Sequence, residues 1–173
     1  MPLVQVYLEA LRKHHPETYE HCQRTRGVCL TIGKHLALPP PETDLLAAAG
    51  LLHDFGKLAV PVQVLSSKEP LDDFGLGEIQ KHPYVSSVIA RIVHRPDVAE
   101  LVLVHHEPGY PRREIRRLEE RGHLKDLLRL ADQFDALRSR RPYKPPFGPQ
   151  QIRKILLGKG FNGELVDFLL QNC

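Results

Sequence analysis

Apolar side chains recur three and four residues apart along most of this sequence, which is the period of an amphipathic α-helix. Val28, Cys29, Ile32 and Leu36 form a typical run of this kind. No two segments alternate apolar and polar residues in the manner of paired strands. The pattern predicts an all-α fold, with roughly eight or nine helices around one core. The predicted helical segments are 3–12, 17–37, 42–53, 83–93, 98–105, 124–137, 150–157 and 163–171, together with a short polar helix near 77–81 and a charged, partly ordered one over 112–122.

Proline and glycine residues set the expected limits of these helices. Pro16 suits the first turn of the second helix, and the proline run 39–41 forms a rigid break after it. Gly56 is expected to end the third helix. Asp97 is expected to cap the N-terminus of the helix that follows it. Further prolines across 141–149 predict an extended segment there.

Length and composition are those of an ordinary globular protein. Residues 1–173 are expected to form a single domain without a separate regulatory domain. The net charge of +3 suits a small anionic ligand in a basic cleft and does not demand a nucleic-acid partner. Three cysteines without a CxxC pair favour a reducing cytoplasm. No apolar run approaches the ~20 residues of a membrane helix, and no signal peptide is indicated.

The first candidate for chemistry is the pair His53 and Asp54, which follows the apolar run 45–52. An imidazole nitrogen and a carboxylate oxygen, held side by side at a helix end, suit a divalent metal. The alternative interpretation is a buried His-Asp pair that only stabilises the end of the helix. The pair alone leaves both interpretations open.

Two further helices carry acidic and imidazole groups on one face. Glu17 and His21 are four residues apart, and Asp132 and Asp135 are three apart, so each pair shares a helix face. Asp132 lies at the end of an apolar stripe, where a buried carboxylate needs a partner or a cation. Glu17 is alternatively a solvated acid of the first helical turn, and Asp135 a surface residue.

The remaining histidines divide into candidates and ordinary residues. His82 stands immediately before a proline at a helix N-terminus, while His105 and His106 are adjacent at a helix end, where both could reach one site. His82 is alternatively a plain loop residue. Four separate helices therefore offer His or Asp beside an apolar face. Five histidines lack such partners and are interpreted as surface or core residues: His14, His15, His35, His94 and His123.

These residues fall into an ordered series of motifs. The series is His53-Asp54-Phe55-Gly56-Lys57, Lys81-His82-Pro83, His105-His106-Glu107 with Gly109-Tyr110-Pro111, and Ala131-Asp132-Gln133-Phe134-Asp135-Ala136-Leu137 followed by Arg141-Pro142-Tyr143-Lys144. It resembles the HD superfamily of phosphohydrolases, and most closely its HD-GYP branch. The likeness covers about residues 16–145, and the helices within 149–172 follow it loosely.

The resemblance implies a compact helical HD-type domain around a centre of two or three metal ions. The first ion would be held by His21, His53, Asp54 and Asp132; Asp54 would bridge to a second, held by His82, His105 and His106; and Glu17 matches the acid that holds a third ion in some members. Asp135 would support these ligands without touching a metal.

The resemblance also implies a substrate, the bacterial messenger cyclic di-GMP, hydrolysed to the linear dinucleotide or to GMP. Lys57 would contact the scissile phosphate or a metal-bound water. Arg141 and Lys144 would clamp the phosphates, and Tyr110 lies in the loop that shapes the substrate pocket. In this family the same loop is linked to contacts with a signalling protein partner.

Elementary chemistry agrees with a phosphohydrolase. Imidazole and carboxylate ligands without thiolate favour iron or manganese over structural zinc. Two such ions would activate a bridging hydroxide and neutralise the phosphate. Cys22 faces about 100° away from His21 on its helix and is interpreted as a packing residue.

One departure from the family pattern affects the predicted substrate. Only Pro108 separates Glu107 from Gly109, so the loop is shorter than is typical of the family. Three hypotheses follow: a cyclic di-GMP phosphodiesterase, which is favoured; an HD phosphohydrolase acting on another nucleotide or phosphate ester; and a metal-holding signalling or interaction module with little catalysis.

Overall fold

The regular structure is helical throughout the part of the chain described by the computed structural model, residues 2–106, 122–139 and 146–173. The predicted all-α class is confirmed for these residues. The helices are α1 (Leu3–His14), α2 (Pro16–His35), α3 (Pro40–Leu52), a 3₁₀ helix (Phe55–Ala59), α4 (Val62–Leu65), α5 (Asp73–Gln80), α6 (His82–Val93), α7 (Pro96–Leu103), α8 (Gly122–Arg138), α9 (Pro149–Gly158) and α10 (Gly163–Asn172). None of these helices is both long enough and apolar enough to cross a membrane.

The core lies where α2 packs along α3 and α8. Ile32, Leu46 and Leu128 are completely buried there. Burying one such side chain stabilises the fold by about 1.5–3 kcal/mol. The same apolar cluster includes Leu11 of α1 and Leu169 of α10. Both ends of the chain therefore pack into the core that supports α2, α3 and α8.

Several helices begin with a proline in their first turn, which accounts for much of the high proline content. Pro16, Pro40, Pro83, Pro96 and Pro149 hold this position in α2, α3, α6, α7 and α9. A proline there loses nothing, because the first-turn N–H groups have no partner within the helix. The predicted position of Pro16 is correct.

The prediction that Gly56 ends the third helix is wrong. Helix α3 ends at Leu52, and Gly56 lies inside the 3₁₀ helix. Its Cα faces α6 so closely that a Cβ would overlap the carbonyl oxygen of His82. Its N–H donates to Ser86 Oγ at 2.7 Å. Glycine is required because two backbones meet, and this contact holds the residues after Asp54 directly against α6.

Helix α7 begins earlier than predicted. Pro96 occupies its first turn and Arg95 is the N-cap residue, so Asp97 lies inside the helix instead of capping it. The Asp97 carboxylate accepts from Val98 N at 2.9 Å and from Arg95 Nε at 2.7 Å. The helix also ends early, at Leu103. His105 and His106 therefore lie in a turn, where adjacent side chains can point the same way.

We predict that Gly56→Ala lowers the free energy of unfolding by about 3 kcal/mol, because a side chain there overpacks against backbone that cannot move aside. Chemical denaturation measures the change. Gly27→Ala is the matched control: Gly27 lies in α2 with open space around it, and we expect a gain of about 0.5–1 kcal/mol. Equal effects of the two substitutions would contradict the proposed close contact.

Candidate metal centre

Five histidine rings, supplied by four parts of the chain, lie close together next to the N-terminal half of α2. His21 comes from α2, His53 follows α3, His82 begins α6, and His105 and His106 follow α7. Neighbouring ring centroids are 5.1 Å apart for His21 and His53 and 4.1 Å apart for His105 and His106. The structure brings together the histidines that the sequence analysis singled out.

The first cluster consists of His21, His53 and Asp54, whose ligand atoms all lie within 4.8 Å of one another. The Nε2 atoms of His21 and His53 are 3.2 Å apart. Asp132 joins the cluster from α8, with Oδ1 3.0 Å from His21 Nε2 and 3.7 Å from His53 Nε2. Two nitrogens and two carboxylates thus face one point.

The second cluster consists of His82, His105 and His106, again with ligand atoms within 4.8 Å of one another. His82 and His105 are buried, whereas His106 is exposed on one side. Asp132 reaches this cluster too, because its Oδ2 lies 4.0 Å from His106 Nδ1. Such an all-imidazole group suits a divalent transition metal.

Asp54 stands between the two clusters and directs one oxygen toward each. Its Oδ2 is 3.7 Å from His21 Nε2 and 3.5 Å from His53 Nε2. Its Oδ1 is 3.2 Å from His82 Nε2. A carboxylate in this position can bind two cations at once, one through each oxygen.

Three of the histidines are oriented by the same backbone contact. The Nδ1–H groups of His53, His82 and His105 donate to the carbonyl oxygens three residues earlier, at 2.8, 2.5 and 2.5 Å. A carbonyl only accepts, so Nδ1 carries the hydrogen and Nε2 of a neutral ring keeps its lone pair. Second contacts of this kind commonly orient metal-ligating histidines. Local helix-end geometry therefore aims three Nε2 atoms at the centre.

Buried acceptor atoms that lack a hydrogen-bond partner indicate whether these residues suit a metal ion. Asp54 Oδ1, His82 Nε2 and His105 Nε2 are buried without a hydrogen-bond partner within the described residues. Leaving a buried acceptor unpaired costs about 1–3 kcal/mol. Three such atoms converging on one region fit a cation. Cys22 belongs to neither cluster, and burial raises the pKa of its thiol well above the ordinary value.

The two clusters differ in their affinity for protons. Burial lowers the pKa of His82 to about 4 and that of His105 well below its usual range. Around His53, burial is outweighed by the Asp54 and Asp132 carboxylates, which raise its pKa to about 10. Without a metal, the first cluster therefore holds protons at neutral pH, and the second cluster does not.

Lys57 lies beside the first cluster and donates to Asp54 Oδ2 at 2.6 Å. Burial opposes its charge, but the Asp54 carboxylate outweighs burial and raises the pKa of Lys57. The reverse contact, together with His53, holds the pKa of Asp54 well below its usual range despite burial. Lys57 remains a cation with 23% of its side chain exposed.

A cavity of about 460 Å³ opens beside the first cluster. His21 and Lys57 form part of its wall, together with Glu17, which is exposed and belongs to neither metal-ligand cluster. The sequence analysis missed two wall residues, Arg24 and Arg138. Arg24 follows His21 by three residues, and Arg138 follows Asp135 by three. That helical spacing was the available signal.

Asp135 is also close to the first cluster, with Oδ2 2.8 Å from His21 Nδ1. It is a buried residue, so the alternative of a surface aspartate is excluded. Three predicted substrate-binding residues, Tyr110, Arg141 and Lys144, lie outside the described residues. The predicted helix over 112–122 also lies outside them, apart from Gly122, which begins α8.

Comparison with known proteins places these residues in context. Residues 5–159 match the family described as HD domain. A 3'3'-cGAMP-specific phosphodiesterase of Vibrio cholerae is 33% identical over 98% of the chain. A cyclic di-GMP phosphodiesterase of Pseudomonas aeruginosa is 30% identical over 83% of it, and one of Thermotoga maritima is 30% identical over 90%.

The chain spans only part of these curated relatives: 34% of the Vibrio protein, 36% of the Pseudomonas protein and 44% of the Thermotoga protein. The residues that match the HD domain family, 5–159, include both histidine clusters and the residues that line the cavity.

We predict that acidification from pH 7.5 to 5.5 removes the cation of the first cluster before that of the second. His53 binds a proton below about pH 10, and the Asp132 and Asp135 carboxylates raise the pKa of His21 despite its burial. Protons therefore compete with metal at the first cluster, and its affinity for metal falls by at least about tenfold for each unit that the pH is lowered. His82, with a pKa of about 4, is already neutral at pH 5.5. Elemental analysis after dialysis at stepped pH measures the loss, and His21→Ala and His105→Ala assign each ion. Simultaneous loss of both ions would contradict the difference between the clusters.

Proposed function

The chain belongs to the HD domain family, and we propose that it is a metal-dependent phosphodiesterase that hydrolyses cyclic di-GMP to the linear dinucleotide or to GMP. The observation that carries the proposal is Asp54, which directs one carboxylate oxygen toward each histidine cluster. The names of the relatives support a cyclic dinucleotide as the class of substrate.

The proposed ligand set follows the two clusters. His21, His53 and Asp132 would hold the first ion, and Asp54 would be shared with the second. His82, His105 and His106 would complete the second site, and Glu17, on the cavity wall, is the proposed ligand of a third ion. Nitrogen and oxygen donors without thiolate favour iron or manganese.

A pair of divalent ions, when bound, supplies Lewis acidity for the activation of water and of a phosphodiester. The residues of the chain provide the surroundings for that chemistry. Lys57 keeps its proton and places a positive charge between Asp54 and the cavity. Arg24 and Arg138 add two guanidinium groups to a wall that also carries the carboxylates of Glu17 and Glu20, and a guanidinium suits a phosphate through its planar fork. Arg141, Lys144 and Tyr110 are proposed to extend the substrate contacts.

The setting of the enzyme is also a proposal. Cys22, Cys29 and Cys173 are all free thiols, which favours the reducing cytoplasm. We further propose that the segment around Tyr110 offers a contact for a signalling protein partner, as the family resemblance implies.

The test is turnover by the full chain, purified without oxygen and loaded with iron or manganese. We expect hydrolysis of cyclic di-GMP, and loss of activity together with at least one metal ion per chain in Asp54→Ala. The panel includes 3'3'-cGAMP and bis(p-nitrophenyl) phosphate, and circular dichroism verifies that the variant is folded. Turnover of the simple ester alone would favour a different phosphohydrolase. Tight binding of cyclic di-GMP without turnover would favour a binding module.

We predict that Lys57→Gln lowers kcat about 10²–10³-fold, the usual effect of removing one preorganised positive group from a site where negative charge develops. The metal content should be unchanged, because Lys57 is not a proposed ligand. Lys81→Gln is the matched control, since Lys81 is exposed and pairs with Glu78. Loss of metal from Lys57→Gln would show that the residue supports the centre instead of the reaction.

A further inference from the structure

The ring of His21 is oriented by a different kind of partner from the rings of His53, His82 and His105. His53 and His105 donate Nδ1–H to backbone carbonyls at the ends of α3 and α7, and His82 donates Nδ1–H to the carbonyl of Ile79 at the end of α5. The Nδ1 of His21 instead faces a side chain on another helix, Asp135 Oδ2, at 2.8 Å. The orientation of this one ring therefore depends on a charged residue supplied by α8.

Asp135 is itself held by several donors. Arg24 Nε donates to Oδ1 at 2.9 Å and to Oδ2 at 3.2 Å. Ser139 Oγ donates to Oδ2 at 3.1 Å. The carboxylate is 1% exposed, while the Arg24 side chain is 42% exposed. A buried carboxylate is thus fixed between a histidine of the first cluster and an arginine on the cavity wall.

We propose that Asp135, held by Arg24, is a positioning residue that orients His21 and strengthens its binding of the first cation. This inference rests on the metal centre of the proposed function. With Nδ1–H donated to Asp135, the His21 Nε2 lone pair points toward His53 Nε2 and Asp132, which is the position of the first ion.

A carboxylate that accepts from Nδ1–H increases the metal affinity of a histidine more than a backbone carbonyl does. An ionised acceptor makes a stronger hydrogen bond than a neutral one, and its charge increases the donor strength of the opposite ring nitrogen. Arg24 fixes the carboxylate in the rotamer that faces His21 Nδ1. Because Arg24 hydrogen-bonds to Asp135 and makes no hydrogen bond to His21, its effect on the ion is transmitted through the carboxylate.

Within the described residues, no hydrogen bond joins His82, His105 or His106 to Asp135 or Arg24. His82 and His105 are fixed by carbonyls of residues 79 and 102. Disturbing Asp135 should therefore weaken one cation and spare the other. A residue that only joins α2 to α8 would instead lower the stability of the fold and weaken both.

The experiment is a titration of the metal-free full chain with Mn²⁺, in which electron paramagnetic resonance counts the free ion. In Asp135→Ala we expect the first cation to bind about 10–100-fold more weakly, with the second unchanged. Asp135→Asn keeps an acceptor but loses the charge, and should show a smaller loss. Arg24→Gln should weaken the same cation to a lesser degree. The readout needs no turnover, so a failure to hydrolyse cyclic di-GMP would leave this result interpretable.

Two controls separate positioning from structure. Asp126→Asn changes an exposed aspartate of α8 that pairs with Arg129, and both cations should bind as before. In the His21→Ala background, Asp135→Ala should cause no further loss, because its effect passes through His21. Equal weakening of both cations, an undiminished effect in the His21→Ala background, or unchanged affinity in Asp135→Ala would overturn the proposal.

Discussion

A buried carboxylate, Asp54, is the constraint on which the arrangement of the site depends. An ionised carboxylate with almost no contact with water is unfavourable unless charges compensate it. Lys57 compensates one oxygen, while the other is buried without a hydrogen-bond partner in the described part of the chain. The second oxygen faces the cluster that begins with His82, 3.2 Å from His82 Nε2, and a cation at that cluster would compensate its charge. The pairing of the two clusters follows from this one residue.

The position of Asp54 is set by backbone contact more than by side-chain packing. Gly56 allows the 3₁₀ helix to lie on α6, and the hydrogen bond to Ser86 fixes the distance. His82 is the first residue of the same helix, so this contact determines how far Asp54 lies from the second cluster. The glycine thus contributes to the chemistry of the site although it carries no side chain.

The candidate histidine ligands are oriented by two kinds of hydrogen bond. Helix-end carbonyls orient three rings through contacts three residues back along the chain, which are local and inexpensive to form. His21 lies inside a helix, where the carbonyls are already used, and it takes its partner from α8. This difference explains why Asp135 must be buried and why Arg24 accompanies it.

Helical periodicity predicted the all-α fold correctly, because burial of one apolar stripe per helix is a local property of sequence. Boundaries were less predictable. Asp97 is a good N-cap by type, but the fixed backbone angle of Pro96 started α7 before it. The function of Gly56 was misread for a similar reason: the requirement for glycine comes from α6, which is distant in sequence.

The sequence by itself determined which residues are candidates for metal binding, since residue type and motif order identify them without coordinates. Only the tertiary structure decided how they divide into two clusters, that Asp54 directs one oxygen toward each, and that Arg24 reaches the first cluster through Asp135. These relations join residues as far apart as 114 positions in the chain. They depend on how the helices pack, because the order of residues in the sequence does not give the distances between helices.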